Sequence, residues 1–152
     1  MTLMISGVLL AGCKKDKIIY EKISEFPDAA WTYGNDLDFD FTLEDTTASY
    51  RILMYLEFET DYRWQNLYTR AVTTMPDGSV VVDDVSLELA SKSGEWYGDC
   101  NSEVCELNIP LQNNVRTRDA GNYHVQFKQH MRNETVDGIR AIGLKVIELV
   151  PE

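Results

Sequence analysis

Two cysteines, Cys100 and Cys105, are a pair whose type and spacing invite chemistry. Such a pair can close a disulfide, hold a metal or cycle between redox states. A zinc site needs about four ligands, and no further ligands cluster around these two. Redox pairs are usually Cys-x-x-Cys, whereas four residues separate these thiols. A hairpin tip would set them opposite each other, with Cα atoms roughly 4.5–5.5 Å apart, inside the disulfide range. His124 and His130 share a strand face, but about 20 Å of extended chain separates them, too far for one metal ion. Asp36, Asp38 and Asp40 alternate along another extended stretch. Their carboxylates diverge, and the glycine and distal glutamate of a calcium loop are missing. A solvated acidic face and surface histidines are the expectation. Arg132, following Met131 at a strand end, is expected to make a buried pair with an aspartate.

No Gly-x-Ser-x-Gly elbow, His-Glu-x-x-His or phosphate-cradling glycine loop occurs. A converging carboxylate pair for glycoside hydrolysis stays open, but 25 acidic residues make that uninformative. No catalytic residue, metal or cofactor is expected, and the chain is not expected to be an enzyme.

Cys13 reads differently. It closes Leu10-Ala11-Gly12-Cys13, after the apolar run Leu3 to Leu10 and before Lys14-Lys15-Asp16-Lys17. An apolar run ending in small residues is the cleavage end of a secretory signal. It is too short to span a bilayer, which takes roughly 20 residues. The Leu-Ala-Gly-Cys ending looks like the lipobox of bacterial lipoproteins, in which the cysteine is acylated and becomes the first mature residue. Residues 1–12 hold no Lys or Arg, and a true start further upstream would account for the missing basic region. Residues 1–12 are therefore expected to be a removed signal peptide. Residues 13–24 would be the lipidated N-terminus and tether, and residues 25–152 one domain. Cys13 would attach the protein to a lipid bilayer. In an exported protein the remaining even pair reads as a structural disulfide. So small a ring stabilises by about 2 kcal/mol.

The formal net charge is −11. That argues against nucleic acid, which demands clustered Lys and Arg, and against electrostatic docking on anionic lipid. The dominant hydrophobic period is two, the mark of strands. Leu37, Phe39, Phe41 and Leu43 alternate with Asp38, Asp40 and Thr42. Tyr50, Ile52, Met54, Leu56 and Phe58 share a face. Further strands are expected at Ile18–Ile23, Tyr62–Thr74, Val80–Leu89, Val104–Leu111, Tyr123–Met131 and Ile142–Leu149. About eight or nine strands predict an all-β antiparallel sandwich of jelly-roll or immunoglobulin-like type. The aromatics Tyr62, Trp64, Trp96 and Tyr97 are the candidate interface residues, since an exposed group of them would suit a partner protein or a sugar ring.

The order of these features resembles the GldH family of gliding-motility lipoproteins in Bacteroidetes. The carriers are Tyr20 to Phe26, Trp31, Asp38-Phe39-Asp40-Phe41 and Tyr50 to Phe58 with Tyr62-Arg63-Trp64-Gln65-Asn66-Leu67-Tyr68. They continue as Pro76-Asp77-Gly78, Gly94-Glu95-Trp96-Tyr97-Gly98, Gly121-Asn122-Tyr123, Gln129-His130-Met131-Arg132, Gly138-Ile139 and Ile142-Gly143-Leu144. Cys100 and Cys105 stand outside that pattern, so the hairpin is expected to be a local elaboration. The resemblance implies a non-enzymatic lipoprotein with protein partners in an envelope assembly for motility or its associated secretion. The family also occurs in species that do not glide. A membrane-anchored carbohydrate-binding module is the alternative. Surface-export signals in that phylum are acid-rich after the cysteine, and this tether is mainly basic. The expected location is therefore the outer membrane, facing the periplasm.

Overall fold

The computed structural model describes residues 14–151. Cys13 and the expected signal peptide lie outside them. Every regular element among the described residues is a strand. One antiparallel sheet holds β1 (Lys17–Glu25), β4 (Ser49–Glu59), β7 (Asp99–Cys100), β8 (Val104–Val115) and β11 (Ile139–Leu149), in the order β1-β11-β4-β8-β7. The second holds β3 (Leu37–Leu43), β5 (Asn66–Thr74), β6 (Val80–Glu88) and β9 (Gly121–Gln129), in the order β3-β9-β5-β6. A short ribbon of β2 (Ala30–Thr32) and β10 (Thr135–Asp137) closes one end.

The period-two pattern becomes the core. Leu37, Phe39, Phe41 and Leu43 point inward from β3, and Tyr50, Met54, Leu56 and Phe58 from β4. Tyr123, Val125 and Phe127 do the same on β9. Each such side chain contributes about 1.5–3 kcal/mol on burial. Rings interlock them: Phe39 meets Phe127 at 5.4 Å, and Phe41 stacks on Tyr123 at 5.7 Å. The β1/β3 side is shut, with Tyr20 against Phe41 at 5.6 Å and Lys22 Nζ donating to the Asp38 carbonyl at 2.8 Å.

The expected all-β antiparallel sandwich forms, with eleven strands; β2, β7 and β10, beyond the eight long ones, are two or three residues long, too short to leave an alternating pattern. From Lys17 the expected tether is strand β1, which pairs with β11 along its length as a sheet edge. Two expectations need correction. The strand expected from Tyr62 starts at Asn66. Tyr62 instead packs edge-on against Phe58 and Trp64 and donates its hydroxyl to the Asn66 carbonyl at 3.0 Å. Arg132 is exposed rather than in a buried pair. The buried polar group at that strand end is Gln129, which holds the Asn133 carbonyl at 2.7 Å and the Met131 amide at 2.6 Å.

Candidate interaction surfaces

At one end of the sandwich Cys100 and Cys105 face each other across β7 and β8, disulfide-bonded, with Cα atoms 4.0 Å apart. The turn between them is built by Asn101, whose Oδ1 accepts the amides of Glu103 and Val104, both at 2.8 Å. Cys105 is fully buried in the common core, so the bridge fastens an exposed hairpin tip to the interior.

The four candidate aromatics separate. Tyr62 is only 5% exposed and is a core residue, not a platform. Its burial pushes the phenol well above its ordinary pKa. Trp96 is half-buried, edge-on to Phe58 at 5.1 Å, with Nε1 donating to the Thr60 carbonyl at 3.1 Å. Trp64 is half-buried beneath the Arg63 guanidinium, 5.8 Å from its ring centre. Tyr97 remains open at 43% exposure. Trp64 and the exposed Tyr68 share a shallow depression of about 540 Å³ with Arg63, Gln65, Asn66, Ser86 and Glu88. The sequence signal for Tyr68 is its place between Leu67 and Thr69, which are both buried.

The acidic row is not merely solvated. His124 sits between two of its members, with Nδ1 2.7 Å from Asp40 and Nε2 3.1 Å from Asp38. Gln126 donates to Asp38 at 2.9 Å, and Lys128 pairs with Asp36 at 2.9 Å. The β3–β9 register brings these about, placing Asp40 opposite His124 and Asp38 opposite Gln126. His130 lies elsewhere, within 3.9 Å of Asp84. Arg70 forks onto Asp84 at 2.6 and 3.0 Å, and that hydrogen bonding holds the Asp84 carboxyl below the usual carboxylate range. On the other sheet the Tyr55 hydroxyl lies between Glu57 and Glu106, at 3.2 and 3.1 Å. Burial first, then those carboxylates, raise its pKa. Among the described residues no three His, Cys, Asp or Glu side chains gather as a metal site.

Among the described residues nothing closes the side of the sandwich opposite β1 and β3. A cleft of about 860 Å³ enters there between the sheets, floored by Phe41, Tyr50, Leu87, Leu111, Val125 and Phe127. Charged Asp83, Glu88, Arg116, Arg118 and Asp119 also line it.

Fold and surfaces thus define an antiparallel β-sandwich with a disulfide-fastened hairpin and an open inter-sheet cleft. A family model described as GldH lipoprotein matches residues 18–146, and the chain belongs to that family. It is 29% identical over 138 residues to the gliding motility lipoprotein GldH homolog of Christiangramia forsetii, covering 89% of this chain and 82% of that one. It is 24% identical over 151 residues to gliding motility lipoprotein GldH of Flavobacterium johnsoniae, covering 95% and 92%. A structure of infectious bursal disease virus, Gx strain, aligns with 95% of this chain at 15% identity, with a TM-score of 0.36. This chain spans 36% of that viral chain, and so loose a likeness adds nothing to the assignment.

Proposed function

We propose that this GldH-like lipoprotein is a non-enzymatic interaction component of an envelope assembly serving motility or its associated secretion. Acylated Cys13 would hold it at the periplasmic face of the outer membrane. The observation that carries this reading is the family match over nearly the whole sandwich, with relatives named for gliding motility. Two features support it. Every Asp, Glu, His, Lys and Arg among the described residues 14–151 is at least partly exposed. The tether also leaves the sandwich in a defined place: Asp16 Oδ1 accepts the Val150 amide at 3.0 Å. Lys17, Glu148, Tyr50 and Val115 form one row across the sheet there. That end would face the membrane, leaving the disulfide hairpin farthest from it.

Affinity purification of tagged full-length protein, followed by mass spectrometry, tests the role. Recovery of secretion or motility components is expected. A Cys13→Ala chain should fold and leave the membrane fraction, and protease added to intact cells should spare the wild-type domain. Loss of the domain from intact cells would reject the periplasmic placement. The Trp64–Tyr68 depression favours carbohydrate binding as a second reading; retention on a glycan column with no protein partner recovered would put it first.

A further inference from the structure

Free sheet edges invite pairing with other chains, and proteins blunt them with prolines, bulges, lysines or covering contacts. Three of the four long edges here are managed. β1 has a register shift between Ile18 and Tyr20 and carries Lys17 and Lys22. β3 is covered by Lys22, which reaches the Asp38 carbonyl. β8 contains Pro110 and two register shifts against β4. A proline gives no ladder donor.

Among the described residues β6 has no proline, lysine, bulge or covering contact, and its one guard is acidic charge, Asp83 facing the cleft with Asp84 and Glu88 beside it. It pairs with β5 in unbroken register from Val80 to Glu88. In an antiparallel pair, alternate residues turn their amides and carbonyls away from the partner, so half of the β6 backbone polar groups face outward. Val80, Val81 and Val82 are 56%, 41% and 56% exposed. The adjoining cleft is lined by Val81, Val85 and Leu87 of this strand and by Ile109 and Leu111 of β8. β7 pairs only with Cys105 and Glu106, so among the described residues no strand follows β8 beyond them, and the sandwich has room for one more strand on this side.

We propose that β6 is the docking edge for an extended segment of a partner protein, with alternating apolar side chains and interspersed lysine or arginine. The segment joins the sheet beyond β6 and places its inward side chains in the cleft.

Charge and hydrogen bonding select this occupant. The edge carries Asp83, Asp84 and Glu88; Arg70 faces only Asp84 among them, and Arg116 and Arg118 belong to the cleft lining rather than to the strand itself. A second copy pairing β6 with β6 would bring those acids together in a chain already at −11, and like charges across strands are destabilising. An acyl chain would fill the cleft but leave the outward amides without partners. A peptide strand supplies the hydrogen bonds, and its basic residues answer the acids.

The inference deepens the proposed function and rests on it. The test is amide hydrogen exchange on the detergent-solubilised full chain with two synthetic nine-residue peptides. One alternates valine with lysine; the other alternates valine with glutamate. At saturating lysine peptide, exchange at outward-facing β6 amides should slow about ten-fold or more. The glutamate peptide should not slow it. Val81→Arg should abolish the protection while β4 and β11 amides keep theirs, showing that the variant is folded. The proposal is overturned by no slowing, by equal slowing with both peptides, by peptide-free slowing that grows with protein concentration, or by oleate slowing it equally. Affinity purification separates the two failures. If Val81→Arg recovers the same envelope proteins as the wild type, docking on β6 falls and the interaction role stands. If the wild type recovers none, the role itself falls.

Discussion

Gly98 and Glu106 approach so closely that a Cβ on Gly98 would stand 2.2 Å from the Glu106 carbonyl oxygen. Gly98 also has φ +87°, a region that costs other residues about 1–2 kcal/mol. The obstacle is backbone, which cannot swing aside as a side chain can. Gly98→Ala should therefore lose more than 2 kcal/mol or so, by conformational strain plus displacement of β7. Gly34 is the control, with φ +80° and nothing within 4 Å of a Cβ. Gly34→Ala should lose only the conformational part. Urea midpoints of the two variants measure the difference, and equal losses would remove the carbonyl contact as the cause.

The disulfide beside Gly98 should contribute about 2 kcal/mol, the chain-entropy value for so short a ring. Its two halves should not respond alike. Cys100 is exposed and Cys105 fully buried, so Cys105→Ser adds a buried hydroxyl and its desolvation cost. Cys105→Ser is expected to lower the urea midpoint clearly more than Cys100→Ser. Reduction of the wild type should match the milder variant. Equal midpoints for the two serine variants would show that the tip, rather than the core, sets the loss.

The parts legible in the sequence are those where neighbouring residues differ sharply in polarity. Leu37 to Leu43 reads as a half-buried strand because each apolar residue is followed by a polar one, and its burial alternates at every position. The Cys100–Cys105 pairing was legible because four intervening residues suit a hairpin. Tyr62 was not. Its alternation with Arg63 and Trp64 imitates a strand, while the packing of its ring on Phe58 decides its place. The Asp38–His124–Asp40 arrangement depends on β3 lying beside β9, a pairing that no local pattern announces. The open cleft depends on which strands end each sheet, so it too belongs to topology.

Alkaline pH should unfold the protein through Tyr62. Burial raises its pKa from the ordinary 10.0, so the neutral phenol is the form that fits the folded state. A raised folded value means that its contribution is whole below pH 10 and is lost as pH climbs toward the folded value. Tyr55, raised by burial and by Glu106 and Glu57, acts in the same direction. Tyr62→Phe should lose about 1 kcal/mol at pH 8 with its hydrogen bond to Asn66. Above pH 10 that deficit should shrink or reverse. Urea midpoints between pH 8 and pH 11.5 check this, and parallel curves would exonerate Tyr62.

Gln129 offers the sharpest test of how the Gln129–Thr135 turn is held. Its Nε2 donates to the Asn133 and Glu134 carbonyls at 2.7 and 3.2 Å, while Oε1 accepts the Met131 amide at 2.6 Å. Gln129→Glu keeps the shape and the acceptor but aims an ionised carboxylate at two carbonyl oxygens. An uncompensated buried charge costs about 3–5 kcal/mol. Gln129→Leu instead leaves an amide and two carbonyls without this partner, at about 1–3 kcal/mol for each group that water cannot reach. The two losses should separate with pH. In the glutamate variant, burial raises the folded pKa above the unfolded value of about 4.3. Its stability is therefore best preserved below that pH and falls as pH rises through the folded value. The leucine variant has no group to titrate there, so its deficit relative to wild type should be flat from pH 4 to pH 8. Urea midpoints of the three proteins across that range decide the matter. A glutamate deficit that does not grow with pH would mean the carboxylate escapes to solvent and the turn is held by its backbone alone.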